Sequence, residues 1–186
     1  MQGDMNMTIL KPFPQLETER LILRKMNSSD KSDIFNMQSN PKMSEHSDSQ
    51  PETELAGSLA YIKHMETGVS EGKWLIWALE EKETHKVIGT VCIWNFSTDK
   101  KTAELGYGII PEYQGKGLMS EALLSIIDYS FNVFDMNLLD AYTEENNIPS
   151  IKMLDRIGFK EFDRVIDEGF YKKRDFCMVV FRLSKD

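Results

Sequence analysis

Cysteine is almost missing from this chain. Cys92 and Cys177 are the two it has in 186 residues. That is too few for a disulfide scaffold and points to a reducing compartment. There is no CxxC pair or Cys/His cluster, and the three histidines, His46, His64 and His85, lie scattered among polar neighbours. The sequence therefore offers no recognisable metal-ligand set. Long apolar runs are also lacking: no stretch approaches the roughly 18 residues that a membrane span needs. The opening "MQGDMNMTIL" has no basic segment followed by an apolar core, so it does not read as a secretory signal. A soluble, cytoplasmic protein is expected. Positive charge is scarce as well, with 22 Lys and Arg against 30 Asp and Glu, a net charge of −8. That balance disfavours a nucleic-acid surface, which needs a basic stripe. It suits a cationic substrate, and equally it suits plain solubility. The Walker pattern GxxxxGK[ST], a GxGxxG fingerprint with its following acidic residue, and the GxSxG elbow are all absent.

What is present is ordinary globular composition, 41% hydrophobic and 28% charged. A chain of this length buries about 70% of its unfolded surface without needing a staple. "RLILRKM" from Arg20 reads as a strand, and Ser28 or Ser29 is placed to cap a short helix through Ile34, Phe35 and Met37. Residues 39–53, polar and holding two prolines, read as a mobile loop. Leu55, Leu59 and Ile62 then repeat at helical spacing, with a stop between Gly68 and Gly72. "KWLIWALEE", "KVIGTVCIWNF" and "KTAELGYGII" are three strands on short links, most simply antiparallel. Met119, Leu123, Ile126, Ile127, Phe131 and Phe134 share one helical face. "NLLDAYT" is a further strand, so the strand–helix–strand order implies a local parallel crossover. "IPSIKMLDRIGF" is a short helix stopped by Gly158, residues 165–174 read as a loop, and "CMVVFRL" is a final strand. The expectation is one α+β domain over residues 1–186, with a mixed, mostly antiparallel sheet and a core from about 16 to 183.

The stretch "GIIPEYQGKGLMSEAL" (Gly108 to Leu123) gathers glycine and proline at the seam between a strand and a helix. Backbone N–H groups at a helix start have no partner inside the helix and lie at the positive end of its dipole. Such a seam binds phosphate oxygens. Gly115 and Gly117 would let the backbone close around them, with Lys116 adding charge nearby.

"ELGYGIIPEYQGKGLMSEAL" resembles the central motif of the GNAT acyltransferases, Q/R-x-x-G-x-G/A, with Gln114, Gly117 and Met119 on its specified positions. Met119 departs from the family's small residue and would narrow the turn. "LETERLILRKM" resembles the family's first strand, and "NNIPSIKMLDRIGF" its later N-x-x-[AS]…G-F segment. The likeness runs over about residues 16–183 and is nearest to the RimJ/RimL type, which acetylates N-termini of ribosomal proteins, and to enzymes acting on small amines. It implies a turn at Gln114, Gly115, Lys116, Gly117, Leu118 and Met119 that holds the pyrophosphate of acetyl-CoA as cosubstrate. Ile109 and Ile110 would pair with the pantetheine arm, and Asn147 would also contact the cofactor, although it reads equally as a helix N-cap. A homodimer is common among relatives.

Acetyl transfer needs a neutral amine, a polarised thioester carbonyl and a stabilised thiolate. An α-amino group is about 10–20% neutral at pH 7 and a lysine amine only about 0.04%, so an N-terminal acceptor asks less of a base. The resemblance implies Glu104 or Glu168 as that base, with Asp167 beside it as a spare, and a backbone N–H near Ile110 as the carbonyl's donor. Where many family members carry a tyrosine, seven residues after the motif Asn, this chain has Leu154. Ser150 matches the serine that the RimJ/RimL type turns toward the thiolate, and it also fits a first-turn hydroxyl. The expected activity is transfer to a protein N-terminal amine by direct attack in a ternary complex. A small-amine acetyltransferase, an inactive acyl-CoA sensor and a nucleotide-phosphate binder are the alternatives.

Overall fold

The computed structural model describes residues 12–185, so the opening segment read above lies outside the described residues. The strands are β1 (Leu16–Glu17), β2 (Leu21–Lys25), β3 (Trp74–Glu81), β4 (Val87–Trp94), β5 (Thr102–Ile109), β6 (Leu138–Glu144), β7 (Lys160–Glu168) and β8 (Asp175–Ser184). The helices are α1 (Lys31–Ser39), α2 (Leu55–Glu71), α3 (Leu118–Asp128) and α4 (Ile148–Arg156). All eight strands form one sheet in the order β1-β2-β3-β4-β5-β6-β8-β7. The pairing is antiparallel except between β5 and β6, which the α3 crossover makes parallel. The α+β reading and its crossover are therefore what the chain adopts. No helix among the described residues is long and apolar enough to cross a membrane.

The elements follow from local chemistry. Strand β3 is buried without interruption from Leu75 to Leu79, which requires cover on both faces of the sheet. Helix α3 supplies some of it through Leu118, Met119, Ala122, Leu123 and Ile126. The helical pattern through Phe131 and Phe134 continues past α3 as a wider π turn, Tyr129–Val133. Helix α2 runs through Gly68, where the sequence suggested a stop. There a Cβ would lie 1.9 Å from the Trp74 ring, so Gly68 is a seat for that ring, and the stop is Gly72, at φ 72°. The helical start before α1 is capped by Asn27, in a reciprocal box with Asp30, and not by Ser28 or Ser29.

Two expectations change. β7 is a strand that the sequence reading left out, and Val165 to Glu168 belong to it rather than to a loop. Every residue of β7 is exposed, so no buried face imposed an alternating pattern on it. The expected mobile loop at 39–53 contains the 3-10 turn Pro41–Ser44, and its later part is hydrogen-bonded to the β7–β8 turn.

The feature that positions the site is a split in the sheet. β5 and β6 are partners only from Thr102–Leu138 to Leu105–Ala141. Beyond that, β5 continues with β4 alone and β6 with β8 alone.

Candidate active site at the split in the sheet

One wall of the split is the far half of β5. The Ile110 N–H donates to the Ile88 carbonyl (2.9 Å), and the Ile110 carbonyl accepts from the Tyr113 N–H (3.0 Å). Both backbone groups of Ile110 are thus engaged. Because antiparallel pairing alternates sides, the backbone groups of Ile109 and Tyr107 face the split. A strand-like ligand in the split meets Ile109 and Tyr107, not Ile110. Gln114 turns its side chain back onto this wall, donating from Nε2 to the Ile109 carbonyl at 3.1 Å.

At the open end of the split sits the turn before α3. Gly115 and Gly117 have φ of 74° and 79°. A Cβ on Gly115 would meet nothing within 4 Å, and one on Gly117 only the end of Arg20 at 3.6 Å. Glycine is required here by the left-handed backbone, not by crowding, and an L side chain in that conformation costs about 1–2 kcal/mol. The first helical bond runs from the Glu121 N–H to the Gly117 carbonyl, and no side chain caps the helix. The N–H groups of Leu118, Met119 and Ser120 are left at the positive end of α3 without helical acceptors. The side chains of Leu118 and Met119 are buried in the core, so the long methionine leaves the turn's surface open. Lys116 is exposed, its Nζ 4.9 Å from the Tyr113 ring centre. From outside, Arg20 braces the turn, donating from Nη1 to the Lys116 carbonyl (2.9 Å) and pairing with Glu121 (2.6 Å).

The opposite wall is the start of α4. Asn147 is its N-cap, its Oδ1 accepting the Ser150 N–H at 3.3 Å. Ser150 is almost buried, and its Oγ lies 2.7 Å from the Tyr107 hydroxyl. Burial pushes that phenol up to about 12, against a smaller opposing effect of the Ser150 hydrogen bond. Tyr107 therefore stays protonated at neutral pH. The sequence reading overlooked it, although its strand parity with Ile109 was a usable signal. Leu154 is wholly buried core, and the hydroxyl beside Ser150 comes from Tyr107 on β5.

A family model for the acetyltransferase (GNAT) domain matches residues 20–160. The chain belongs to the GNAT acetyltransferases. A GNAT relative from Bacillus licheniformis, named as the uncharacterized N-acetyltransferase p20, is 32% identical over 170 residues, covering 91% of this chain and 96% of its own. Among solved structures, a ribosomal-protein-alanine acetyltransferase from Vibrio fischeri superposes with TM-score 0.79 at 22% identity, over 93% of this chain and 97% of that one. Spermidine N-acetyltransferase from Vibrio cholerae, in complex with CoA and spermine, gives 0.76 at 20% identity, over 89% and 95%. The likeness to these two is one of fold.

As a GNAT enzyme the chain uses acetyl-CoA, and its residues fit that cosubstrate. The uncapped amides of Leu118, Met119 and Ser120 suit a pyrophosphate, and the Ile109 N–H, on the side of β5 away from β4, suits the carbonyl of an amide-bearing arm.

A cavity of about 650 Å³ is lined by Met37, Gln38, Met43, Ser44, Tyr61 and Tyr171, among others. It adjoins the split, since a Cβ on Gly108 would lie 3.2 Å from the Met43 methyl. Its rim is latched. The Asp48 carboxylate accepts the N–H groups of Phe170 (2.6 Å), Tyr171 (3.0 Å) and Lys172 (2.8 Å), and the Lys172 ammonium donates to the Ser44 carbonyl. Beside it, buried Glu144 at the end of β6 is held by Arg174 and His46, each at 2.7 Å. Burial raises the Glu144 carboxyl, but the bonds from Arg174 and His46 outweigh it and hold the group below its usual range.

The two carboxylates expected as bases stand on β5 and β7. Glu104 sits where β5 and β6 are still paired, opposite Asp140, and its Oε1 accepts from Asn95 Nδ2 at 2.6 Å. Glu168 ends the edge strand β7, with β8 between it and β6. Neither is among the groups gathered around Ser150.

Proposed function

We propose that this GNAT enzyme acetylates the α-amino group of a protein or peptide N-terminus, by direct attack on acetyl-CoA in a ternary complex. The observation that carries the acceptor reading is the lining of the cavity beside the split. Among its described residues Glu52 is the one acid, and Glu52 Oε1 already accepts the N–H groups of Thr53 (2.8 Å) and Glu54 (3.0 Å) before α2. A polyamine carries several charges that need several free carboxylates. This cavity matches an acceptor with one amine and a short, weakly polar chain behind it.

The chain's residues divide the chemistry as follows. Gln114, Gly115, Lys116, Gly117, Leu118 and Met119 hold the pyrophosphate, Asn147 shapes the start of α4, and Ile109 aligns the pantetheine arm. The Ile109 N–H, facing the split, polarises the thioester carbonyl in place of the N–H expected at Ile110. The Ser150 hydroxyl donates to the departing sulfur. Tyr107, which stays protonated, is 2.7 Å from Ser150 Oγ, where either hydroxyl can donate; with the phenol as donor, the serine hydrogen is left for the split.

The two features that favoured a non-catalytic sensor have other accounts here: Met119 is a core side chain, and the hydroxyl absent at Leu154 has a counterpart at Tyr107. The test is thiol release from acetyl-CoA with a panel of acceptors. A peptide with a free α-amine is turned over, whereas the same peptide blocked at its N-terminus but carrying lysine, spermidine and an aminoglycoside are not. Preferential turnover of spermidine or the aminoglycoside overturns the acceptor assignment. Ser150→Ala lowers kcat about 100-fold with little change in KM, the signature of an interaction made in the transition state. Equal rates for variant and parent dismiss that role.

A further inference from the structure

We propose that His46, oriented by Glu144, is the general base that takes the proton from the acceptor's ammonium group. This rests on the acetyltransferase reading above and assigns the one role which that reading leaves open.

The geometry is that of a carboxylate–imidazole pair. Glu144 is 3% exposed and accepts from Arg174 through Oε1 and from His46 through Oε2. A buried carboxylate that already receives a guanidinium is ionised and can only accept, so His46 Nδ1 carries the hydrogen. In the neutral ring this leaves the lone pair on Nε2. Nε2 takes no hydrogen bond from the described residues, and the side chain is 31% exposed, so a ligand can reach it.

The placement is as specific as the pairing. Residues 43–46 cross the acceptor face of the split. The Met43 methyl lies over Gly108 of β5, 3.2 Å from where a Cβ would stand, and His46 bonds to Glu144 of β6. Those two positions flank the split on the half of each strand where β5 and β6 no longer pair. Met43 and Ser44 also line the acceptor cavity. His46 thus stands two residues from the cavity lining, against the end of β6 beside the split. The segment is immobilised, with Asp48 bonded to the β7–β8 turn and Lys172 bonded to the Ser44 and Glu45 carbonyls. The charged groups around His46 are Glu144 on β6, Arg174 before β8, Lys172 in the β7–β8 turn, and Glu45 and Asp48 on its own segment.

The protons balance. The ammonium gives one proton to His46 Nε2, and the amine nitrogen bonds to the acetyl carbon. As the carbon–sulfur bond breaks, the nitrogen gives up its second proton, which reaches sulfur as Ser150 accepts one hydrogen and donates another. The His46 imidazolium then releases its proton to solvent, leaving acetylated amine, CoA thiol and one proton in water.

The experiment compares the parent, His46→Ala and Glu104→Gln with the α-amine peptide at pH 7 and pH 9.5, with calorimetric CoA binding as the check on folding. At pH 7, where about 10–20% of the α-amine is already neutral, His46→Ala lowers kcat/KM about five- to tenfold, Glu104→Gln stays within about twofold of the parent, and CoA affinity is unchanged in both. At pH 9.5, where the α-amine is already neutral, the His46→Ala deficit shrinks to within about threefold. Free imidazole restores activity to His46→Ala at pH 7 in a saturable way. His46→Ala within twofold of the parent at pH 7, or an equal loss at both pH values with no imidazole rescue, overturns the assignment while leaving the acetyltransferase reading intact. A parent inert toward every amine overturns both.

Discussion

Tyr107 and Ser150 show how one residue gains its role from another far away in sequence. The serine was visible from the "NIPS" segment, but the phenol 2.7 Å from it lies on a strand 43 positions earlier. Tyr107→Phe keeps the ring and removes the hydrogen that orients the serine. Its kcat falls about tenfold, and the change has no further effect once Ser150 is alanine, because the two act as one unit. Single-turnover rates of the two variants and the double variant check this. The glycines belong to the same scale. Gly117 sits at φ 79° with only the end of Arg20 in reach of a Cβ, so Gly117→Val strains the turn and weakens CoA binding about tenfold in calorimetry. Unchanged affinity would mean that the cofactor does not use this turn.

Helix and strand boundaries near the site were largely legible, because α3 and α4 each show one apolar face, α3 starts at Gly117 and α4 stops at Gly158. The segments that shape the acceptor cavity were not. β7 is exposed along its whole length, and nothing in "KEFDRVIDE" had to alternate. Residues 39–53 look like a free loop because the carboxylate that fixes them, Asp48, bonds to backbone N–H groups more than 120 positions away, at Phe170, Tyr171 and Lys172. Hydrogen bonds to backbone amides leave no residue signature in their partner. Asp48→Ala releases this latch. Hydrogen exchange at Phe170 to Lys172 speeds up, and kcat/KM for the acceptor falls about fivefold, the equivalent of one lost bond of ~1 kcal/mol, while CoA affinity stays the same.

Across the whole molecule, buried and half-buried carboxylates tie neighbouring strands and segments together, Glu80 joining β3 to β2 and Glu144 joining β6 to His46. Burial raises the carboxyls of Glu144 and Glu80, but bonds from Arg174 and His46, and from Arg24 and His85, outweigh it and hold both groups low. A carboxyl held lower in the folded chain than in the unfolded one adds stability above the unfolded value, about 4.3, and loses it as pH falls through the folded value. Thermal melts therefore show a steady Tm from pH 7 to about 5 and a decline below about 4.5. Glu144→Gln makes that decline shallower. The sequence by itself determined the α+β order, the parallel crossover, the glycine turn before α3 and the family, because these depend on periodicity and on glycine at fixed local positions. Only the tertiary structure decided which amides face the split, that Tyr107 stands against Ser150, and that His46 meets Glu144 beside the acceptor cavity. Those pairings join residues that chain-local forces do not relate, and they exist only once the sheet has opened between β5 and β6.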